Sequence, residues 1–580
     1  MTKLRFLLLA AAFALPAAPA VATADGGGPA EALSAEQRAA WQGVFAAIRA
    51  SDWPGASARL EAMPKGPLHD AARAELYLAK GSPKVELDPL LDLIERAREM
   101  PRAEQLARLA ETRGATSIPP LPAVNKLAWV GSQPRRSRAE GINDPAAVSL
   151  EPLIQPLIKD NRPYEAEAIF NERQAELSPE ARTAYQQRIG WSYYTIGNDR
   201  DARRLAASAR AGSGEWAIHG AWSEGLAAWR QDDCKGAADA FGAVAGRAAD
   251  VELDAAAHYW AARAEMMCNR PERVQGHLRA AARAKETFYG MIATAALGMS
   301  GPGMSGLHNY RDSEWRGIAS KANVRAALSL AAIGETELAD QYIRHQARIG
   351  NAGDHDALLH LAADLNLAST QYWLAHNAPR GASVNFAARY PRPDWRPTRG
   401  WRVDPSLAFA HALQESNFRT SVVSPAGAVG LMQVRPGTAG DIARARGEPF
   451  DRQLLTSPAA NIEFGQSYIE TLRDHHATGG LLPKVIAAYN SGPVPVAEWN
   501  SRRFDRGDPL LYIESLPYWE TRGYVPIVLR NYWIYEEGAG KTGPSRAALA
   551  QGMWPRFPGL SGAAAVRLKA DETKLAYGTE

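Results

Sequence analysis

The feature that most constrains the fold of this chain is a degenerate repeat along residues 30–377. An apolar or aromatic residue is followed by a short polar turn and then by a second apolar residue twelve positions on. Three consecutive units recur at intervals of 36 and 37 residues, close to the ~34-residue period of tetratricopeptide-like helix pairs. Such pairs stack to bury their apolar faces, so we expect an α-solenoid, with an irregular helical bundle as the alternative. The pairs are Ile48/Leu60, Ile158/Phe170, Tyr193/Leu205, Trp229/Phe241, Met266/Leu278 and Leu330/Tyr342.

Two stretches interrupt this helical pattern. Residues 113–146 contain Pro119-Pro120 and Gly141 to Pro145, which predict a loop insertion. Tyr390 to Pro397 is proline-rich and predicts an extended linker. Residues 30–377 are otherwise rich in alanine and show no convincing period-two strands, so the fold class is predicted to be mainly all-α.

Length and charge limit the class of protein. The chain has 580 residues, which is too many for a single hydrophobic core and predicts two or more domains. Its 46% hydrophobic and 22% charged residues are ordinary for a globular protein. A formal net charge of +3 gives no reason to expect a nucleic-acid partner.

The N-terminus predicts export. Lys3 and Arg5 precede the apolar run Phe6 to Pro16, and Ala22-Thr23-Ala24 has the form of a cleavage site. We therefore expect a signal peptide at 1–24 and a mature chain beginning at Asp25. No cysteine lies near this site to carry a lipid, and no later stretch reaches the ~18 apolar residues of a membrane span. The expected location is the periplasm, as a soluble protein rather than a lipoprotein.

The chain has two cysteines, Cys234 and Cys268, in adjacent repeats. Their separation does not suit a short metal-ligand pair, and a disulfide or two buried thiols remain open alternatives. His475-His476 is not part of a Glu-x-x-His arrangement. We therefore predict no metal and no cofactor.

One carboxyl group, Glu415, stands out as a candidate general acid. Asp404-Pro405 predicts the start of a helix, with Asp at the N-cap and Pro at the first helical position. Glu415 comes near the end of this largely apolar helix, and burial raises the pKa of a carboxyl group, as a general acid at neutral pH requires. His411, one turn earlier, is interpreted as helix packing.

Several motifs follow one another in order after residue 404. They are Glu415-Ser416, Ser424 to Gln433, Pro436 to Ala439, Asn461 to Tyr468, Ala487 to Pro493 and Glu514 to Val525. In this order and spacing they resemble the signature of soluble lytic transglycosylases, and several ordered motifs are more specific than any one of them. The resemblance covers about the last third of the chain before its C-terminal tail.

The resemblance implies an N-terminal α-superhelical solenoid and a C-terminal lysozyme-like domain. It also implies peptidoglycan glycan strands and other cell-wall enzymes as partners, and we expect a monomer. The expected domains are the signal peptide at 1–24, an α-superhelical domain at 25–377 with its loop insertion near 113–146, a Pro-rich linker at 378–400, a lysozyme-like catalytic domain at 401–540 and a tail of uncertain order at 541–580.

The implied reaction cleaves the β-1,4 bond between N-acetylmuramic acid and N-acetylglucosamine without water. Most glycosidases use two carboxylates, but no Asp or Glu lies between Glu415 and Asp441. A single Glu fits a substrate-assisted reaction that gives a 1,6-anhydromuramoyl product. The alternatives are a goose-type muramidase that uses water and a non-catalytic helical scaffold that binds the cell wall.

The resemblance also implies a set of substrate-binding residues. Ser424, Gln433 and Tyr489 match family positions that contact the sugar or its acetamido group, although Ser424 could equally form the turn of its loop. Asn490 follows Tyr489 at the end of a predicted helix. Met432 is a further candidate for which packing is the alternative. Glu514 matches a second family acid in the substrate groove, and its alternative is a loop residue held by capping or by Arg522.

Overall fold

The computed structural model folds the chain almost entirely into α-helices. It describes residues 33–301, 303–304, 312–382, 385–502 and 504–568, so the predicted signal peptide at 1–24 lies outside the described residues. The first fourteen helices are α1 (Ala35–Arg49), α2 (Trp53–Glu61), α3 (Pro67–Leu78), α4 (Leu87–Arg96), α5 (Ala103–Thr112), α6 (Pro145–Lys159), α7 (Pro163–Arg173), α8 (Pro179–Thr195), α9 (Asp199–Arg210), α10 (Glu215–Arg230), α11 (Cys234–Val244), α12 (Val251–Met267), α13 (Pro271–Arg283) and α14 (Phe288–Ala296).

The remaining elements follow residue 311, apart from one strand in the loop after α5. The helices are α15 (Asp312–Ile318), α16 (Ala322–Ala332), α17 (Thr336–Ile349), α18 (His355–Asp364), α19 (Ala368–His376), α20 (Pro405–Ser416), α21 (Pro436–Ala445), α22 (Pro458–Asp474), α23 (Leu482–Ser491), α24 (Pro493–Arg502), α25 (Pro509–Glu514), α26 (Trp519–Gly538) and α27 (Pro544–Ala550). Two antiparallel pairs of short strands are β1 (Ala128–Trp129) with β2 (Asn377–Ala378), and β3 (Trp554–Pro555) with β4 (Ala565–Val566).

All six helix pairs predicted from the repeat are formed, and one backbone device ends the first helix of each. In the turn between α10 and α11, Asp232 has a positive φ of 59°. The Asp233 amide donates to the Ala228 carbonyl at 3.0 Å, and the Asp233 side chain accepts from the Gly236 amide at 2.9 Å. A turn of this type needs a residue that tolerates left-handed backbone. The left-handed residues of the six turns are Ser51, Asn161, Gly197, Asp232, Asn269 and Gly334.

Contacts divide the chain into two compact units. Unit 1 comprises residues within Met1–Lys126 and His308–Leu361, and unit 2 comprises residues within Leu127–Leu307 and Ala362–Glu580. In unit 1, α16 packs against α3, and Asn323 at the start of α16 donates to the Glu99 carbonyl at 2.8 Å. The predicted domain boundaries stay a prediction, because unit 2 groups the middle repeats with the C-terminal helices.

Unit 2 contains an uninterrupted stack of helix pairs in which each helix from α8 to α14 packs on the next. A disulfide joins Cys234 at the start of α11 to Cys268 after α12, with the two Cα atoms 5.4 Å apart. The open alternative at the two cysteines is thus decided in favour of the disulfide.

The segments predicted as a loop insertion and a linker are mostly irregular in the structure, and their assignment as domain boundaries stays a prediction. Residues 115–144 contain no helix, and Arg136 in this loop forms an ion pair with Glu514. Among the described residues of the predicted linker, Ala378 belongs to β2 and Phe386–Arg389 forms a short 3-10 helix. Within the predicted tail, Trp554 is fully buried and donates to the Gly507 carbonyl at 2.8 Å. Residues 569–580 lie outside the described residues.

Helix α26 packs against both α20 and α23 in the C-terminal part of unit 2, and these three helices carry most of the candidate site. Within the described part of the chain, no helix is both long and apolar enough to cross a lipid bilayer.

Candidate functional site

Helix α20 presents Glu415 in its last turn. The predicted cap is present, because the Asp404 side chain accepts from the Ser406 amide at 2.9 Å and Pro405 is the first helical residue. The helix ends at Asn417, which has a φ of 51° and donates its amide to the Leu413 carbonyl at 3.1 Å. Most of α20 is buried, but Glu415 retains partial exposure. The carboxyl group therefore lies at the edge of the core with a route to solvent.

A chain of two hydrogen bonds runs from Glu415 into the core. The Tyr524 hydroxyl on α26 donates to Glu415 Oε1 at 2.6 Å. His411 Nδ1 lies 2.8 Å from the same hydroxyl oxygen, and both His411 and Tyr524 are buried. Neither partner of Glu415 follows from the sequence patterns described above. The available signal was the position of His411, because residues four apart lie on the same face of a helix.

Burial dominates the electrostatics of this chain. It raises the pKa of Glu415 to about 7, the Tyr524 hydrogen bond opposes that shift, and the nearby negative charge of Glu520 adds to it. Burial also lowers the pKa of His411 to about 3, so its ring is neutral. Glu415 is consequently able both to hold and to release a proton near neutral pH, as a general acid and base must.

The loop after α20 is fixed by backbone bonds and by one asparagine. The Ser424 amide donates to the Ala428 carbonyl at 2.9 Å, and Ser424 Oγ accepts from the Ala428 amide at 3.0 Å. Gly430 has a φ of 77°, and a Cβ there would come within 2.3 Å of Asn461 Nδ2. Asn461 in turn donates to the Val429 carbonyl at 2.9 Å. Ser424 is thus part of its turn, as the alternative interpretation expected, while its hydroxyl hydrogen is not used by this bond.

Gln433 closes the loop in an unusual conformation. Its φ is 47°, in the left-handed region that glutamine rarely adopts. The side-chain nitrogen donates to the Gly430 carbonyl at 2.8 Å and to the Val422 carbonyl at 3.2 Å. Since both bonds use the amide nitrogen, the amide oxygen is left as an acceptor.

Tyr489 and Asn490 end helix α23 beside this loop. The Tyr489 hydroxyl donates to the Met432 carbonyl at 2.7 Å, and its ring lies 4.4 Å from the His411 ring. Asn490 accepts from the Thr521 hydroxyl at 2.6 Å. The structure therefore brings Glu415, Ser424, Gln433, Tyr489 and Asn490 into one region built from α20, its following loop, α23 and α26.

Met432 and Glu514 are placed differently from the other candidates. Met432 is fully buried, and its sulfur occupies the space above Gly465, where a Cβ would approach it to 2.4 Å. Glu514 is 1% exposed, accepts from Arg136 at 2.6 and 3.1 Å and accepts from the Tyr289 hydroxyl at 2.7 Å. Both side chains are enclosed by protein, so we remove them from the set of substrate contacts. The alternative for Glu514 is a residue held by capping or by Arg522, and the structure instead shows it bonded to Arg136 and Tyr289.

A cavity of about 850 Å³ in unit 2 extends from Asn490. Its walls include Trp191 and Trp519, and the Arg522 guanidinium lies over both rings at 4.0 and 5.2 Å. Burial lowers the pKa of Arg522 to about 10. Within the described ranges, no group of three or more His, Cys, Asp or Glu side chains is arranged to hold a metal ion.

Comparison with known proteins identifies a relative of this region. Residues 396–511 match the family described as "Transglycosylase SLT domain". The chain is 37% identical over 164 residues to the soluble lytic murein transglycosylase of Salmonella typhimurium, which is 28% of this chain and 24% of that protein. It is 39% identical over 137 residues to the protein of the same name from Escherichia coli, which is 23% of this chain and 21% of that protein. The matched segments thus span about a quarter or less of these relatives.

Structural likeness extends over most of the chain. The 70-kDa soluble lytic transglycosylase from Escherichia coli has a TM-score of 0.56 at 18% identity, covering 90% of this chain and 88% of that one. An inactive variant of the lytic transglycosylase Slt from Pseudomonas aeruginosa has a TM-score of 0.52 at 19% identity, covering 86% of this chain and 73% of that one. The comparisons confirm the resemblance to soluble lytic transglycosylases and the predicted fold class, a mainly all-α chain with superhelical and lysozyme-like parts.

Proposed function

We propose that this chain, which carries a transglycosylase SLT domain at residues 396–511, is a peptidoglycan lytic transglycosylase. It cleaves the β-1,4 bond between N-acetylmuramic acid and N-acetylglucosamine and leaves a 1,6-anhydromuramoyl end. The observation that carries the proposal is the environment of Glu415. Its carboxyl group lies at the edge of the core and accepts a hydrogen bond from Tyr524, and burial raises the pKa of Glu415 to about 7.

Glu415 acts twice in the proposed reaction. As an acid it donates its proton to the glycosidic oxygen while the C1–O bond breaks, and the acetamido oxygen of the muramoyl residue bonds to C1. As a carboxylate it then removes the proton of the C6 hydroxyl while O6 attacks C1 and displaces the acetamido oxygen. The proton returns to Glu415, no water is consumed, and the short reach of O6 favours the intramolecular attack.

Four residues around Glu415 are proposed to hold the sugar. Gln433 offers its amide oxygen to a hydroxyl or an acetamido N–H, since its amide nitrogen is occupied by the loop. Ser424 offers a hydroxyl hydrogen, and Tyr489 and Asn490 bound the same region from α23. These contacts are inferred from position and from unused hydrogen-bonding capacity.

A specific observation keeps the hydrolytic alternative in view. A goose-type muramidase needs a second carboxylate to activate water, and Glu520 is the described carboxylate whose charge acts on Glu415. Glu520 is exposed and accepts from Asn490 at 3.3 Å. If Glu520 were the base, replacing it with Gln would abolish turnover. The anhydro reaction predicts that Glu520→Gln still forms products.

The proposed site of action is the periplasm. The N-terminal pattern at 1–24 supports export, and the Cys234–Cys268 disulfide suits an oxidising compartment. The proposed substrates are peptidoglycan glycan strands, on which the chain acts as a soluble monomer. Other cell-wall enzymes are its proposed partners there. Intact-mass measurement of the exported protein should give a chain beginning at Asp25, and a retained Met1 would contradict export.

The products of digestion test the proposed reaction. Purified sacculi should yield muropeptides one water lighter than those released by lysozyme, and borohydride should not reduce their muramoyl ends. Products of full hydrolytic mass would establish the muramidase instead. Binding to sacculi without release of products would favour the non-catalytic scaffold.

A further inference from the structure

We propose that His411 is a positioning residue that fixes the direction of the hydrogen bond between Tyr524 and Glu415 and thereby keeps the acid proton on Glu415 Oε2. The inference rests on the function proposed above. It concerns a hydrogen-bonded chain of three groups: His411 Nδ1, Tyr524 Oη and Glu415 Oε1. The first contact measures 2.8 Å and the second 2.6 Å.

The number of protons in this chain allows two arrangements. A tyrosine hydroxyl carries one hydrogen, and a neutral imidazole carries one hydrogen on one of its two nitrogens. In the first arrangement His411 Nδ1–H donates to Tyr524 Oη, and Tyr524 donates to Glu415 Oε1. In the second the hydrogen of His411 is on Nε2, Tyr524 donates to Nδ1, and Glu415 must itself donate from Oε1.

The two arrangements place the acid proton on different oxygens. In the first, Oε1 accepts from Tyr524 whether Glu415 is ionised or not, so the carboxyl proton sits on Oε2. In the second, the proton on Oε1 is committed to the phenol and is not available to the glycosidic oxygen. Only the first arrangement suits a general acid, whose proton must reach the leaving group.

The carboxylate stage of the reaction selects the first arrangement. Once Glu415 has given up its proton, the second arrangement would bring two acceptor oxygens together at 2.6 Å with no hydrogen between them. A donor from His411 also polarises the phenol and strengthens its bond to the carboxylate. Remaining in one arrangement throughout the cycle avoids moving two protons at each turnover.

The surroundings of the His411 imidazole keep its ring neutral. Burial lowers the pKa of the imidazole to about 3, so the ring does not charge in the range where Glu415 titrates. The titratable groups that face the chain are Tyr489, whose ring lies against His411, Tyr468 behind it, and Glu520 on α26. None of these three groups carries a positive charge that could stabilise the Glu415 carboxylate in place of the hydrogen bond from His411.

Two substitutions of similar shape distinguish the hydrogen bond that His411 donates from the packing of its side chain. His411→Asn can place an amide nitrogen where Nδ1 stands, whereas His411→Leu has a similar outline and no donor. We expect His411→Leu to lower kcat by up to about tenfold, the upper end of the loss expected for one hydrogen bond between neutral groups, with KM unchanged. Its alkaline limb should move to higher pH, because the carboxylate of Glu415 is then less stabilised. His411→Asn should stay within about twofold of the wild type, given the donor it retains.

Equal losses in the two variants, or a change in KM alone, would overturn the proposal and reduce His411 to packing. Thermal unfolding of both variants establishes that they fold.

A second measurement reads the wild-type protein without relying on its activity. In a two-bond ¹H–¹⁵N spectrum of ¹⁵N-histidine-labelled protein, the His411 signals are identified by their absence in His411→Asn. The proposal predicts a neutral ring with hydrogen on Nδ1, and a hydrogen on Nε2 would contradict it. Because this measurement does not depend on the reaction products, it distinguishes failure of the proposed role of His411 from failure of the proposed function.

Discussion

In the turns of the helix pairs the left-handed residues are Asn, Asp, Ser or Gly, whereas around Glu415 they include Phe418 and Gln433. The first group tolerates this backbone, and the turn is completed by bonds between residues close in sequence. The second group does not favour it, and Gln433 is held there by bonds of its own side chain to the Gly430 and Val422 carbonyls.

Acidic side chains differ between the same two regions. In the repeats Asp233 is partly exposed, caps the helix that follows it and forms an ion pair with Arg203. At the candidate site the carboxyl group of Glu415 is kept where ionisation is costly, and its partners lie on the same helix and on α26. The comparison teaches that the repeats satisfy local rules, while the site departs from them where chemistry requires it.

The largest expected effect is on turnover at the site. Glu415→Gln retains size and hydrogen bonding but cannot deliver a proton, so the rate of product release should fall by at least about 10². Because the folded-state pKa of Glu415 lies above the ordinary value of 4.5, wild-type stability falls as pH rises through the range from 4.5 to about 7. The variant should lack this loss, so its stability relative to the wild type should increase with pH.

Activity assays on sacculi and denaturant unfolding at pH 5 and pH 8 measure both effects. An active Glu415→Gln enzyme would show that another residue is the acid.

The repeats should show the opposite pattern, a loss of stability with chemistry intact. Replacing Cys234 and Cys268 together with Ser opens a loop of 34 residues and should lower the free energy of unfolding by about 3–4 kcal/mol. Denaturant unfolding of the two proteins measures the difference, and kcat of the folded variant should be unchanged. A fall in kcat at full folding would mean that the repeats and the site are coupled.

Tyr524→Phe sharpens the account of the pKa. It removes the hydrogen bond that lowers the pKa of Glu415, so that pKa should rise above about 7. Since catalysis begins with protonated Glu415, the alkaline limb of kcat against pH should move to higher pH, and kcat should fall about tenfold for loss of the bond. A limb that moves to lower pH, or does not move, would show that Tyr524 does not bond the carboxylate.

The smallest effect is expected when the same substitution, Asn to Ala, is made at a helix end in the repeats and at a helix end in the candidate site. Asn269 ends α12 and Asn417 ends α20, with φ values of 57° and 51°. Alanine disfavours this backbone, so Asn269→Ala and Asn417→Ala should each lose about 1 kcal/mol of stability. Only Asn417→Ala should also lower turnover, because Asn417 ends the turn that carries Glu415. Glycine at either position is the matched control and should restore stability. Equal turnover in all four variants, Ala and Gly at both positions, would show that the end of α20 matters no more for catalysis than the end of α12.

Sequence patterns predicted the parts of the molecule that depend on near neighbours. The six helix pairs, the Asp404 cap and the Ser424 turn all follow from residues a few positions apart. The partners of Glu415 and Glu514 could not be found this way, because Tyr524 is 109 residues from Glu415 and Arg136 is 378 residues from Glu514. The sequence does not decide the disulfide either, because the stacking of α11 on α12 is what brings Cys234 and Cys268 together.

The pKa of Glu415 is the most direct test of the claim that burial prepares this carboxyl group for catalysis. Protein labelled with ¹³C at the glutamate carboxyl carbons can be titrated, and the Glu415 signal is identified by its absence in Glu415→Gln. The account predicts a midpoint at about 7. A midpoint near the ordinary value of 4.5 would contradict it.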